Sequence, residues 1–329
     1  MGTLSADNYV STENMQQDFA GIKDAISLPS SGTAVEFQVG DILISNIRPY
    51  LKKIWLSDRN GGCSTDVLSL RTKNEKVDSA FLYCCLANDD FVSYVMSGAK
   101  GVKMPRGDKQ HISSFNLGVP SVQEQRKIAG LISLLEKRIS TQSKIIEEQE
   151  TLLKSLADKL ISSQVANVAL NDCVVAKAST MKESELELLG TFPVYGASGL
   201  CGYSNEALEK SNSLLVTKDG SGVGTCQYAT GNHSFLGTLC SLTAREGVYL
   251  PYIYYALLNF NFAAYKTGLA IPHIYFKDYG KASIFCPSYD EQVRIASGLE
   301  RLEAKISTDR ELLKQFHLQK GYLLSRMFI

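Results

Sequence analysis

One stretch of this chain is written twice. PSVQEQRKIAGLISLLEKRI begins at Pro120, and PSYDEQVRIASGLERLEAKI begins at Pro287. The copies align without a gap from Pro120/Pro287 to Ser162/Ile329. Identical pairs include Ser121/Ser288, Glu124/Glu291, Gln125/Gln292, Ile128/Ile295, Ala129/Ala296, Leu135/Leu302, Ile139/Ile306 and Leu156/Leu323. Agreement at so many fixed offsets marks a duplication. Each copy opens like a helix. Ser121 with Glu124, and Ser288 with Glu291, fit a capping box, in which the serine caps an orphan N–H and the glutamate reaches back to the serine N–H. The prolines lie just outside, where a missing donor does little harm.

A heptad follows. Ile128, Ile132, Leu135, Ile139, Gln142, Ile146, Gln149, Leu153, Leu156 and Leu160 alternate steps of four and three, and Ile295, Leu299, Leu302, Ile306, Asp309, Leu313, Phe316, Lys320, Leu323 and Met327 repeat the pattern. Such a narrow apolar seam is a coiled-coil signature. Roughly 40 helical residues at ~1.5 Å each give a rod of about 60 Å. Gln142 and Asp309 fall at the same seam position, where a polar residue fixes register at a cost in stability, or else marks a solvated face or a bend. One narrow stripe cannot be buried alone, and its simplest partner is the other copy. The intervening segment is long enough to form a globular domain that brings the chain back.

The remaining residues fall into two arms. FLYCCLANDDFVSYVMSG from Phe81 faintly matches YIYYALLNFNFAAYKTG from Tyr252, and DILISN from Asp41 parallels SLLVTK from Ser213. Each arm reads as strands, a helix, a basic loop and a strand leading into a long helix. The expected fold class is therefore α+β, with two tandem pseudo-symmetric globular domains joined by two long helices that pair within one chain. The segments expected are 1–119, 120–164, 165–286 and 287–329. A length of 329 residues suits two globular units.

Lysine plus arginine and aspartate plus glutamate number 34 each, so the net charge is zero and a grip on nucleic acid by bulk charge is excluded. Positive charge is clustered all the same. Arg48, Lys52 and Lys53 stand beside Tyr50 and Trp55, and Lys103, Arg106 and Lys109 lie in a glycine-containing loop. The second arm carries Lys218 in TKDGSGVG, then Lys266, His273 and Lys277 among aromatics and glycines. Such mixtures suit phosphate and base-edge contact. The eight cysteines form no C-x-x-C pair, so free thiols in a reducing cytoplasm are expected and a metal site is not. No apolar run reaches the ~18 residues a membrane span needs. TKDGSGVG lacks the lysine that closes a phosphate loop, and no nucleophile elbow or zinc-protease motif occurs. No catalytic residue and no cofactor is expected. The chain reads as one that recognises or scaffolds something.

Two variable arms separated by repeated P-S-x-x-E-Q-x-x-I-A helices resemble the DNA specificity subunits of type I restriction-modification systems. The phrases GDILISNIRPYLKKIW from Gly40, KMPRGDK from Lys103 and FPVYGASGLCGY from Phe192 carry the likeness further. The resemblance implies that each arm is a target recognition domain reading one half of a bipartite site in double-stranded DNA. It implies that the rods form an antiparallel coiled coil, set the spacer and dock two methyltransferase subunits, and that restriction/translocase subunits join them. It also implies a cytoplasmic, non-catalytic protein with no membrane partner. The expected DNA contacts are Arg48, Lys52, Lys53, Lys103, Arg106, Lys109, Lys218, Lys266, His273 and Lys277. The expected seam is Ile128, Leu135, Ile139, Leu156, Ile295, Leu302, Ile306 and Leu323. The second arm opens with VALNDCVVAKASTMKESELELLGTFPVYG, and family members commonly carry a similar lead before the first arm. The first arm is therefore expected to lack that lead, with its edge strand affected. The competing reading is a coiled-coil scaffold whose arms bind ligands other than DNA.

Overall fold

The structure is a computed structural model that describes residues 3–29, 34–187, 189–268 and 271–327. The side chain of Met327, the residues Phe328 and Ile329 of the expected last segment, and Leu269 and Ala270 of the second basic loop lie outside the described residues. The fold mixes helices and sheets in two compact units. Unit 1 is Met1–Ser143 with Glu311–Ile329, and unit 2 is Lys144–Arg310.

In unit 1 the strand Ile42–Ser45 is the centre of an antiparallel sheet, between Ile54–Leu56 and Val67–Leu70. All four of its residues are buried. The two-residue period of a strand divides them between two clusters. Ile42 and Ile44 pack with Leu86, Phe91 and Val95 of the arm's helices, whereas Leu43 turns to Val10, Phe37 and Trp55. A second sheet pairs Val35–Phe37 antiparallel and Tyr9–Val10 parallel with Gly61–Cys63. The helices Ser79–Leu86 and Asp89–Ser97 start where Asp78 and Asn88 accept orphan backbone N–H groups.

Unit 2 repeats the central sheet with one more strand. Ser213–Thr217 lies between Cys226–Ala229 and Leu239–Ala244, and Val174–Ala178 extends the sheet beyond Leu239–Ala244. In unit 1 the corresponding edge, Val67–Leu70, carries no further strand among the described residues. The arm helix of unit 2 is Leu250–Leu258.

Two long helices, Val122–Ala157 and Tyr289–Met327, each contribute to both units. Ser121 Oγ accepts the Glu124 N–H at 3.3 Å, as a cap should. The other half of that capping box does not form, and in the second copy Ser288 Oγ caps no N–H among the described residues. Glu124 reaches Lys127 at 3.4 Å, and Glu291 accepts from Arg294 Nε at 2.8 Å. A cation one turn along attracts an exposed carboxylate more strongly than a neutral N–H does.

The duplicated glutamines have the larger role. Gln125 is fully buried; its carbonyl accepts the Asp78 N–H at 2.8 Å and its amide donates to Lys76 and Pro120 carbonyls at 2.9 and 2.8 Å. Gln292 repeats this in unit 2. It accepts from the Tyr249 N–H at 2.9 Å and donates to Pro287 at 2.8 Å and Gly247 at 3.5 Å. Each glutamine thus ties a long helix to the start of its arm helix.

Within unit 1, Ile128, Ala129 and Ile132 pack with Phe81, Cys84, Cys85 and Leu324, with Leu323 partly buried against them. Lys320 Nζ meets Glu136 Oε1 at 2.7 Å. Within unit 2, Gln149 Nε2 donates to Asp309 Oδ2 at 2.9 Å and Arg310 pairs with Glu150 at 2.7 Å. Leu135, Ile295 and Ile306 are buried, while Ile139, Leu156, Leu302 and Leu323 are half-buried. One seam expectation is corrected. Leu160 is 38% exposed and Ile161 is buried at 2%, because residues Asp158–Ser162 form a π-helical turn. The wider turn delays the phase by one residue.

Candidate nucleic-acid interface

The basic segments of each unit are folded into one constellation. In unit 1 the short turn Pro49–Leu51 is bracketed by Arg48 and Lys52, both left-handed, with φ of 50° and 55°. The Arg48 N–H donates to the Pro105 carbonyl at 2.8 Å, and Lys100 and Arg106 exchange backbone hydrogen bonds at 2.9 Å in each direction. Ile47 bridges Arg106. The backbone therefore brings Arg48, Lys103 and Arg106 to neighbouring loops.

Unit 2 has the counterpart. The Gly220 N–H donates to Pro272 at 3.0 Å, and Thr267 and His273 exchange hydrogen bonds at 2.9 and 2.8 Å. Asp219 bridges His273. Lys100, Gly101, Pro105 and Arg106 thus correspond to Thr267, Gly268, Pro272 and His273 at one constant offset, the offset of the long helices. Gly101 and Gly268 have φ of 95° and 87°, which a side chain would strain. Arg48 and Lys52 correspond to Gly220 and Gly224, whose φ values are 96° and 92°. Unit 2 meets the left-handed requirement with glycine; unit 1 imposes it on two cations.

The charges are partly spent inside the chain. Lys52 pairs with Asp89 at 2.7 Å, and that carboxylate raises its pKa. Lys53 Nζ donates to the Thr12 carbonyl at 2.6 Å. Arg106 gives one nitrogen to Asp66 at 2.9 Å and keeps its other donors for outside. The Lys100 ammonium and the His111 and Gln110 N–H groups hold Asp108 down to about 2. Lys218 stands 3.9 Å from Asp219, whose other oxygen is 2.9 Å from a His273 ring nitrogen. Lys277 sits 5.4 Å over the Tyr275 ring. Arg48, Lys103, Lys109 and Lys266 are exposed and have no ion-pair partner among the described residues. Lys109 also lines an apolar cleft of ≈ 590 Å³ with Leu70, Phe91 and Phe115.

Sequence reasoning found the cations and missed that Asp89 holds Lys52, Asp66 holds Arg106, and Asp219 holds His273 beside Lys218. The adjacency of Lys218 to Asp219 was a local signal. It also missed the glutamines' task, although Gln125/Gln292 stood among the identical pairs. No group of three or more metal-binding side chains occurs among the described residues. No described helix is long and apolar enough to cross a membrane.

The family model described as type I restriction modification DNA specificity domain matches twice, at residues 8–151 and 163–316. The chain is 24% identical over 127 residues to the EcoDI specificity subunit of Escherichia coli, and 28% identical over 107 residues to the MjaVIII specificity subunit of Methanocaldococcus jannaschii. Those matches span 39% and 32% of this chain but only 28% and 25% of the curated relatives. Over 99% of the chain and 90% of its counterpart, the fold resembles the type I restriction-modification S subunit from M. genitalium, with a TM-score of 0.66 at 17% identity. A chain from structural work on complex assembly of the type I R-M system gives a TM-score of 0.62 at 16% identity, covering 97% of this chain and 90% of that one.

Proposed function

The chain belongs to the type I restriction-modification DNA specificity family, and on that premise we propose that it reads a bipartite target in double-stranded DNA, one half with each unit. The reading rests above all on Arg48. A non-glycine residue in left-handed backbone costs about 1 kcal/mol, and such strain gathers at functional sites. Unit 2 avoids the cost with Gly220, and the Arg48 side chain makes no ion pair among the described residues that would repay it. An exposed guanidinium beside Lys103 and Arg106 suits a phosphate or a guanine edge.

In this proposal Arg48, Lys103, Arg106 and Lys109 are the outward contacts of unit 1, with Lys52 and Lys53 bracing the same turn. Lys218, Lys266, His273 and Lys277 serve unit 2, where the glycines admit the DNA backbone closely. The long helices pair antiparallel as a coiled coil and act as the ruler for the spacer. Support comes from Glu136 meeting Lys320 in unit 1 and Gln149 meeting Asp309 in unit 2, pairs in which the partner's number falls as the first rises. Helices of 36 and 39 residues are long enough for half-sites about one turn, ~34 Å, apart. Two methyltransferase subunits and the restriction/translocase subunits are the proposed partners, in the cytoplasm. The chain itself contributes recognition and no bond-making step, since base flipping and transfer belong to the methyltransferase.

The test is duplex binding by the full chain with its methyltransferase partner across a salt series. Selective binding and a steep fall with salt are expected. Arg48→Gly should reduce affinity and flatten the salt slope by about one. Equal affinity for unrelated duplexes, or a flat salt response, overturns the proposal. Methylome sequencing with and without the gene should then show loss of a bipartite methyl-adenine motif.

A further inference from the structure

Unit 2 contains an open cleft of ≈ 970 Å³ on the side of its arm helix, distinct from the basic loops. Tyr228, Tyr249, Tyr254 and Tyr255 line it together with Glu300 and Glu303. The Glu303 oxygens accept the Tyr254 and Tyr255 hydroxyls at 3.2 and 2.7 Å. Those bonds fix two of the rings, and Tyr228 stands edge-on to Tyr254 with centroids 6.2 Å apart. Glu300 has no cation within ion-pair distance among the described residues, yet its charge acts on Tyr228, Tyr249 and Tyr255. The cleft therefore gathers tyrosine rings around Glu300, a carboxylate with no ion pair among the described residues.

The matching position in unit 1 shows which chemistry this arrangement accepts. There Glu136, the counterpart of Glu303, lies beside Tyr83, the counterpart of Tyr254, and receives Lys320 Nζ at 2.7 Å. That lysine side chain is only 17% exposed. The repeat puts Leu153 in unit 2 where unit 1 has Lys320, so no internal ammonium can fill the cleft from that position. Aromatic faces attract cations, and arginine in particular, and a carboxylate adds a charge-assisted hydrogen bond.

We propose that the tyrosine cleft of unit 2 is a docking site for an arginine or lysine side chain presented by a partner protein, with Glu300 as its counter-charge. DNA is the wrong ligand for it, because Glu300 repels phosphate. Lys210, on the rim and exposed, weakens the site by like charge.

The probe is a blocked Gly-Arg-Gly peptide titrated into the full chain carrying ¹³C-labelled tyrosine, with Gly-Gln-Gly and a short DNA duplex as controls. Ring signals assigned through Tyr228→Phe and Tyr249→Phe should shift saturably with the arginine peptide alone. Glu300→Gln should weaken the peptide about tenfold, the loss of one charge-assisted contact, while the thermal melt is kept. Lys210→Gln should tighten it. Equal shifts from the glutamine peptide, competition by duplex, or an unchanged affinity in Glu300→Gln overturns the proposal. Duplex binding in Glu300→Gln should match that of the unaltered chain, so failure here leaves the DNA reading standing.

Discussion

The two units share a backbone plan and solve the same local problems with different side chains. At the left-handed turn beside the basic loop, unit 2 has Gly220 where unit 1 has Arg48. At the glutamate facing the arm helix, unit 1 uses Lys320 and unit 2 uses two tyrosine hydroxyls. At the polar seam, unit 2 joins Gln149 to Asp309, whereas unit 1 sets Gln142 beside Phe316 in one small recess and leaves the buried Gln142 Nε2 without a hydrogen bond. Duplication supplied the scaffold, and divergence at single positions made each unit a distinct surface. A comparison of matched mutations can therefore separate scaffold from function.

The largest effects should be the symmetric ones. Ile132 and Leu299 are counterparts, exposed 1% and 2%. Truncating either to alanine should cost ~2–5 kcal/mol, as cavity-forming changes do. Hydrogen exchange should show the loss in unit 1 for Ile132→Ala and in unit 2 for Leu299→Ala; a loss spread evenly over both would break the division into units.

The seam should then respond with opposite signs. Gln149→Leu removes one hydrogen bond to Asp309, which is 4% exposed and keeps Lys305 Nζ at 2.7 Å, and should cost about 2 kcal/mol, the scale of a hydrogen bond to a charged group. Gln142→Leu removes an unpaired buried amide and should stabilise by ~1 kcal/mol in urea denaturation. If both destabilise, the polar seam is symmetric after all.

Acid should unsettle unit 1 at a position where unit 2 is indifferent. Burial alone would raise the Asp41 pKa, but the Arg71 guanidinium at 2.7 Å on each oxygen and the Gln38 N–H hold it below the usual carboxylate range. A depressed folded pKa gives stability that is complete above the unfolded value of ~3.9 and is lost as pH falls through the folded one. Asp41→Asn should therefore destabilise by about 1–2 kcal/mol at neutral pH, since Arg71 is half exposed, and should flatten the acid limb of the pH–stability curve. At the matched position unit 2 carries Ser213, hydrogen-bonded to His233 at 2.9 Å. Ser213→Ala should leave the limb below pH ~4 unchanged.

The smallest change in stability is the most telling for function. Arg48→Gly should stabilise by up to ~1 kcal/mol while weakening duplex binding, and Gly220→Ala should destabilise by about as much. Melting curves and binding isotherms on the two variants check both signs. A stability loss in Arg48→Gly would remove the strain argument on which the proposed DNA contact stands.

Much was legible beforehand because repetition is a linear property. The long helices, the arm helices, the buried DILIS strand and the clustered cations all follow from periodicity and identity at constant offset. The first capping box was half right, because a helix start is a local event, and the second formed in neither half; competition from Lys127 and Arg294 for the glutamates depends on which cation lies closest in space. The seam failed at Leu160 because heptad counting assumes an unbroken α-helical turn, and the π-helical turn at Asp158–Ser162 brings Ile161 inward instead.

By itself the sequence determined the duplication, the two long helices and the basic character of one loop per arm, since each is written in order along the chain. Only the tertiary structure decided which cations remain free, what Gln125 and Gln292 bind, and that Arg48 bears the backbone strain its counterpart Gly220 avoids. Those outcomes depend on contacts such as Arg48 to Pro105 and Asp219 to His273, between residues more than 50 positions apart. Hydrophobic spacing carries no information about such pairs, because their energies depend on distance and burial in three dimensions.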